Sequence, residues 1–271
     1  MSDPLPSIFG IVLFDGLDGW HVGTLVLVYI GSYFIKGAIG VGNLAIMVLI
    51  GALILTPHHA VVLALVTTFF AQFQFLREGI KYTDWPIAKS VILSAYIGLG
   101  IGVWIFSKVD GTWLTLFVGA TLGLMIVADL THGLSRMSAA LDFRKKTILY
   151  PTMIGFGLIS GIGGAGTLSG VTFYLKQITP SARVLRGTIM MLGIIFASWR
   201  VFLFGLTGYL TWNIVIEVVI LMPVMLFFGY LGAKFFSGLS DKRYHQYLQY
   251  MLLCIAVILV GKSLVKLAAG T

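Results

Sequence analysis

Charge is what this sequence has least of. Asp, Glu, Lys and Arg make up only 10% of its 271 residues, against 58% hydrophobic ones. Soluble domains carry about a quarter charged residues, so a chain this apolar has no way to present a wetted surface, and its solvent is lipid. Acids are the scarcer sign, 10 against 18 Lys and Arg, yet no basic block is dense enough to form a nucleic-acid surface. A single cysteine, Cys254, excludes a disulfide framework and a Cys-type metal site. There is no HExxH, CxxC or DxDxDG pattern, no GxSxG nucleophile elbow and no phosphate-cradling P-loop. An enzyme is therefore not expected, nor a cofactor, nor direct nucleotide coupling. The N-terminus carries Asp3, Asp15 and Asp18 but no basic stretch, so no cleaved signal peptide is expected.

What is present is a series of apolar runs, at about 24–56, 58–76, 87–106, 112–131, 148–175, 182–206, 212–233 and 247–267. Most approach the roughly 20 residues that carry a helix across ~30 Å of hydrocarbon. None alternates as a barrel strand would. The fold expected is an all-α polytopic membrane protein. An N-terminal segment over 1–23 lies at the interface, transmembrane repeats occupy 24–131 and 148–267, and a basic cytoplasmic linker spans 132–147.

The halves repeat. Gly37, Gly40 and Gly42, followed by Asn43, match Gly161, Gly164 and Gly166, followed by Thr167, at identical spacing. Each motif is then followed by Thr-Pro, at Thr56-Pro57 and Thr179-Pro180, and Tyr82 with Trp85 echoes Tyr209 with Trp212. A continuous helix from Thr24 to Thr56 would be about 50 Å long, more than one crossing needs. Glycine costs about 1 kcal/mol relative to alanine in a helix, so the breaks are expected at the glycines, whether the segments re-enter or cross as discontinuous helices.

Loop charge bears on that choice, because cytoplasmic loops collect Lys and Arg. With the linker inside, eight full crossings would put the loop of Lys176, Arg183 and Arg186 outside, together with that of Lys234, Lys242 and Arg243. If the first and fifth segments turn back as hairpins, both loops fall inside, and the acidic N-terminus and the Thr56–His59 corner fall outside. Each half then has one glycine-broken helix and three transmembrane helices, an odd number, so the repeats are inverted.

Inverted, glycine-broken helices bring helix ends to the bilayer midplane, where free N–H groups and positive dipole ends hold anions. Lys36 precedes the first glycine motif, and Ser160 stands at the equivalent place before the second. Arg200 lies inside the sixth apolar run, where its guanidinium either forks onto an oxyanion or anchors at the interface beside Trp199. The candidate binding set is thus Lys36, Gly37, Gly40, Gly42, Asn43, Ser160, Gly161, Gly164, Gly166, Thr167 and Arg200. Close helix packing is the competing role for the glycines. Thr67, Thr68, Gln72, Gln74 and Ser169 add neutral polar groups within the spans. Glu217 and Asp129 are the only carboxylates inside or nearly inside the apolar runs, which makes each a candidate proton carrier, with a solvated edge residue as the competing role for Asp129. The adjacent His58 and His59 are read as corner residues rather than metal ligands.

The motifs GAIGVGNLAIMVLI and GIGGAGTLSGVTF, the Thr-Pro that follows each, and the overall size and repeat resemble TauE/SafE-type permeases, the sulfite exporter and sulfonate transporter family. The likeness runs from about residue 24 to 267. It implies a prokaryotic cell-membrane carrier for a small sulfur-containing anion such as sulfite, thiosulfate or sulfoacetate, working by alternating access between the repeats. A channel for small anions or neutral solutes is the alternative. The partners implied are the small anion, the lipid bilayer and a proton or sodium as coupling ion, with homo-oligomerisation left open.

Overall fold

The structure is a computed structural model that describes residues 13–39, 43–131, 145–164, 167–179, 181–235 and 242–268. Helices make up every regular element among them: α1 (Gly19–Ile39), α2 (Asn43–Ile54), α3 (Pro57–Gln72), α4 (Leu76–Tyr82), α5 (Trp85–Phe106), α6 (Gly111–Leu130), α7 (Lys146–Gly163), α8 (Thr167–Ile178), α9 (Ala182–Leu206), α10 (Trp212–Phe235) and α11 (Lys242–Ala268). Among the described residues, five stretches are long and apolar enough to cross a membrane: Pro57–Tyr82, Trp85–Phe106, Gly111–Ala128, Arg183–Leu206 and Trp212–Gly232. Local chemistry sets several boundaries. Pro57 opens α3, where its missing N–H costs nothing. Asp84 caps α5 by accepting from the Ile87 N–H at 3.3 Å, and Asp110 caps α6 by accepting from Thr112 and Trp113. Helix α1 starts at Gly19, ahead of the apolar run expected from residue 24, and α3 continues through a 3₁₀ turn, Phe73–Phe75, into α4.

Helix α3 is the central post. Every residue from Ala60 to Thr68 is buried, the pattern of a helix surrounded on all sides. Outer helices instead show apolar stripes to the surroundings: Leu93, Ile97, Ile101 and Trp104 along α5, and Val219, Leu226 and Tyr230 along α10. Unbroken stripes of this kind suit lipid and would be a liability in water. Helix α5 packs on α7, α1 on α10, and α6 on α11. The α5–α7 crossing is a glycine seam. A Cβ on Gly157 would stand 2.6 Å from the Ala95 carbonyl oxygen, and one on Gly161 would stand 2.7 Å from Gly102 Cα, so only small residues permit this approach.

The chain breaks at both glycine motifs, between α1 and α2 and between α7 and α8. The first broken segment leaves and returns to one end of the molecule: Asp15, just before α1, accepts a hydrogen bond from the Thr56 N–H, just after α2, at 2.8 Å. The two ends of this segment therefore lie together. Helix α2 has 12 residues, about 18 Å, roughly half the hydrocarbon thickness. Its foot rests on α3 through Asn43 Nδ2, which donates to Thr68 Oγ1 at 3.1 Å. In the second segment, Tyr174 near the end of α8 lies close to Tyr150 near the start of α7, and both pack in one apolar cluster with Leu149 and Leu175. Tyr174 also lies near Asp84, whose N–H bonds Thr188 of α9 at 3.1 Å. The first hairpin opens where α5 ends and α6 begins, with Pro57 3.6 Å from the Cβ position of Gly111 and His58 Nε2 3.2 Å from the Phe106 carbonyl. The second opens at the other end of α5.

Candidate functional site

Two buried cations mark the two breaks. Lys36 sits in the last turn of α1 with 6% of its surface exposed. Its Nζ has no hydrogen-bond partner among the described residues, and it lies over the face of the Tyr33 ring, 5.6 Å from the centroid. The Tyr33 hydroxyl is also buried without a partner, although it faces the side chains of Thr67, Thr68 and Asn43. Helices α1, α2 and α3 thus bring a small group of polar side chains together in an otherwise apolar interior, with one ammonium and no ion pair to it among the described residues. Gln72, one turn further along α3, adds a buried unpaired Oε1, which lies 2.8 Å from the Cβ position of Gly193 on α9.

At the second break, Gly164 takes φ +90° after the end of α7, a conformation that favours glycine. Its N–H still bonds the Ser160 carbonyl at 2.9 Å, while its own carbonyl turns to accept from Arg200 Nη1 at 2.7 Å. Arg200 is 3% exposed, and its Nε and Nη2 have no hydrogen-bond partner among the described residues. The guanidinium lies 5.8 Å from the Phe204 ring centroid. The position a Gly164 Cβ would take is 3.4 Å from Val48 and 3.7 Å from Val61, so Arg200 reaches the break where α2 and α3 meet it. This placement is interior, unlike an interfacial anchor.

The sequence-derived set therefore divides in two. Lys36 and Asn43 gather around Tyr33 and Thr68; Arg200, Gly164 and Ser160 gather at the second break. The two groups touch α3 at Thr68 and Val61, about 10 Å apart along the helix, and the ion pairs among the described residues use neither cation. Gly161 faces α5 rather than the break. Gly37 follows Lys36 in the last turn of α1. Gly40, Gly42 and Gly166 lie outside the described residues, as does the side chain of Thr167. Tyr33 was not distinguishable in the sequence from an ordinary apolar-face tyrosine; its i−3 spacing from Lys36 is the one signal that places it beside the charge.

A buried ammonium and a buried guanidinium without a counter-charge are expensive unless something negative joins them. A family model described as sulfite exporter TauE/SafE matches residues 25–259. The chain belongs to the TauE/SafE family. No curated protein and no solved structure gave a match. The TauE/SafE match takes in both glycine breaks, Lys36 and Arg200, and it puts the chain among integral membrane transporters of sulfur-containing anions. Asp15 lies outside it.

Proposed function

We propose that this TauE/SafE protein carries a small oxyanion, a sulfite-, thiosulfate- or sulfonate-type head, through stations at Lys36 and Arg200, by alternating access between inverted repeats at 24–131 and 148–267. The observation that carries the reading is the pair of buried cations at two helix breaks, neither of which forms an ion pair among the described residues. Arg200 keeps Nε–H and one Nη2 edge free after bonding Gly164, the fork that suits two oxygens of one anion. Lys36 supplies a second point charge, and Asn43 a neutral group at the foot of α2. Charge-assisted bonds of this kind are worth about 1.5–3 kcal/mol each.

The inverted-repeat reading draws support from the packing. Exchanging the two halves turns the α5–α7 contact into the α10–α1 contact, and leaves the α6–α11 and α3–α9 contacts matched with themselves. Hairpins opening at opposite ends fit the same operation, and two stations on either side of one central post suit access from each side in turn.

The test is a thermal-shift screen of the purified protein with sulfite, sulfate, thiosulfate, sulfoacetate and taurine. Ligands that bind only the folded state raise its stability by mass action, about 2.7 kcal/mol at a hundredfold excess over Kd. At least one of the first four is expected to stabilise the protein more than taurine, whose ammonium group meets the two cations. Equal, salt-like shifts from all five would contradict the reading.

A further inference from the structure

At the end where the first hairpin opens, three titratable side chains from three segments meet. The turn Phe14–Gly16 adopts positive φ at all three residues, 51°, 54° and 70°, and two contacts hold it there. Glu217 of α10 accepts from the Phe14 N–H at 2.6 Å, and Asp15 accepts from the Thr56 N–H at 2.8 Å. Between the two carboxylates stands His59 of α3, with Nδ1 2.7 Å from Asp15 Oδ1 and Nε2 2.5 Å from Glu217 Oε2.

Counting hydrogens decides what this array contains. Neutral imidazole has one N–H and one lone pair. With both ring nitrogens at hydrogen-bond distance from carboxylate oxygens, a neutral ring between two carboxylates would aim one lone pair at another. The docked array therefore holds at least one proton more than a neutral histidine with two carboxylates, on the ring or on a carboxyl oxygen. Withdrawing it breaks either the Asp15 link or the Glu217 link. Side-chain exposure falls along the array, from 26% at Asp15 through 13% at His59 to 0% at Glu217, so a proton entering from solvent meets the groups in that order.

Other groups close to the array leave the count unchanged. Tyr29 of α1 faces Glu217. His58 of α3 is turned away, stacked on Tyr209 at 5.1 Å and held by the Phe106 carbonyl. At the start of α1, Asp18 pairs with His21. Among the described residues no Lys or Arg forms an ion pair with Asp15, His59 or Glu217. The array also connects inward. Tyr29 faces Thr67 as well as Glu217, its ring is 6.2 Å from that of Tyr33, and Tyr33 carries Lys36 over its face.

We propose that Asp15, His59 and Glu217 form a proton-binding site that is filled when the first hairpin is docked against α3 and α10, and that it couples proton movement to anion movement at Lys36. The coupling part rests on the transport reading above; the proton site itself does not. It is a sharper role than that of a corner residue for His59 or a solitary proton carrier for Glu217, because it joins the two with Asp15 in one array.

Two measurements test it. The first needs no anion: thermal unfolding of the purified full-length protein, followed from about pH 6 to about pH 10. The docked state holds a proton that a free histidine releases in this range, so parent stability is expected to fall as pH rises. Glu217→Gln and Asp15→Asn are each expected to flatten that fall. Two variants guard against one that does not fold. The same slope in the parent and in both variants overturns the proton site. The second measurement uses proteoliposomes and two probes whose charge is constant near neutrality, sulfate and methanesulfonate. In the parent, a pH gradient of one sign is expected to raise accumulation several-fold over equal pH, with the ratio falling to about one in Glu217→Gln. A parent that exchanges either anion yet ignores gradients of both signs overturns the coupling. A parent that passes the unfolding test but moves neither anion retains the proton site and loses the transport reading instead.

Discussion

Replacing Lys36 by Met keeps the length and apolar stem of the side chain and removes its charge. The Nζ is almost fully buried and has no hydrogen-bond partner among the described residues. Loss of that charge should therefore stabilise the empty protein, by about 1–4 kcal/mol on the scale seen when buried ionic groups yield to apolar ones. Anion binding should move the other way. One charge-assisted contact is worth about 1.5–3 kcal/mol, so affinity should drop roughly 10- to 150-fold. Lys36→Arg retains the charge and should stay much closer to the parent. The assay is paired: melting temperature without anion, and Kd for the best anion from the screen, on the same preparations. A Lys36→Met protein that melts lower than the parent and binds with unchanged Kd would refute the reasoning, because the lysine would then be stabilised by the protein itself.

Four further outcomes are expected. Gly164→Val should lose anion binding and stability together, since a β-branched residue at φ +90° is strained by about 1–3 kcal/mol and displaces the carbonyl that Arg200 holds; normal binding would show the break to be tolerant. Gly161→Val should instead reduce the yield of folded protein, because its Cβ would collide with Gly102; unchanged melting would dismiss the glycine seam. In a Cys254→Ser background, cysteines at Asp84 and Lys176 should react from one side of the membrane and cysteines at Thr207 and Thr211 from the other; labelling of the Asp84 and Lys176 positions from opposite sides would contradict the hairpins. Burial alone would raise the Asp15 carboxyl, but hydrogen bonds from His59 and the Thr56 N–H outweigh it and hold it below the usual 3.8. Its contribution to stability is present above that value and is lost as pH falls below it. Asp15→Asn should remove this acid-side loss in a melting series from about pH 5 to about pH 3.

The glycine breaks were legible in the sequence because backbone cost does not depend on tertiary contacts: three glycines in six residues, within a run too long for one crossing, mark a break whatever surrounds them. Lys36 and Arg200 were legible for a related reason, since an ionisable group in an apolar run is rare enough to single itself out. Other features depended on folding. Nothing in the local sequence separates Gly161, which meets α5, from Gly164, which meets Arg200, because the motif is the same and only the facing helix differs. The Asp15–His59–Glu217 array joins residues from the N-terminal turn, the third helix and the tenth, and no spacing rule connects them. The one hint was scarcity. In a chain with 10 acids, a carboxylate inside an apolar run needs a partner, and His59 at the Thr-Pro corner was the residue to consider.

The claim that a small anion is carried on Lys36 and Arg200 meets its most direct test in counterflow. Proteoliposomes holding the purified protein are loaded with unlabelled thiosulfate and diluted into a trace of labelled thiosulfate. A carrier that binds the anion on alternating sides drives a transient accumulation of label above equilibrium, and Arg200→Met should abolish the overshoot. Monotonic equilibration of label, at the same rate in parent and variant, would contradict a carrier and would remove Arg200 from the path of the anion.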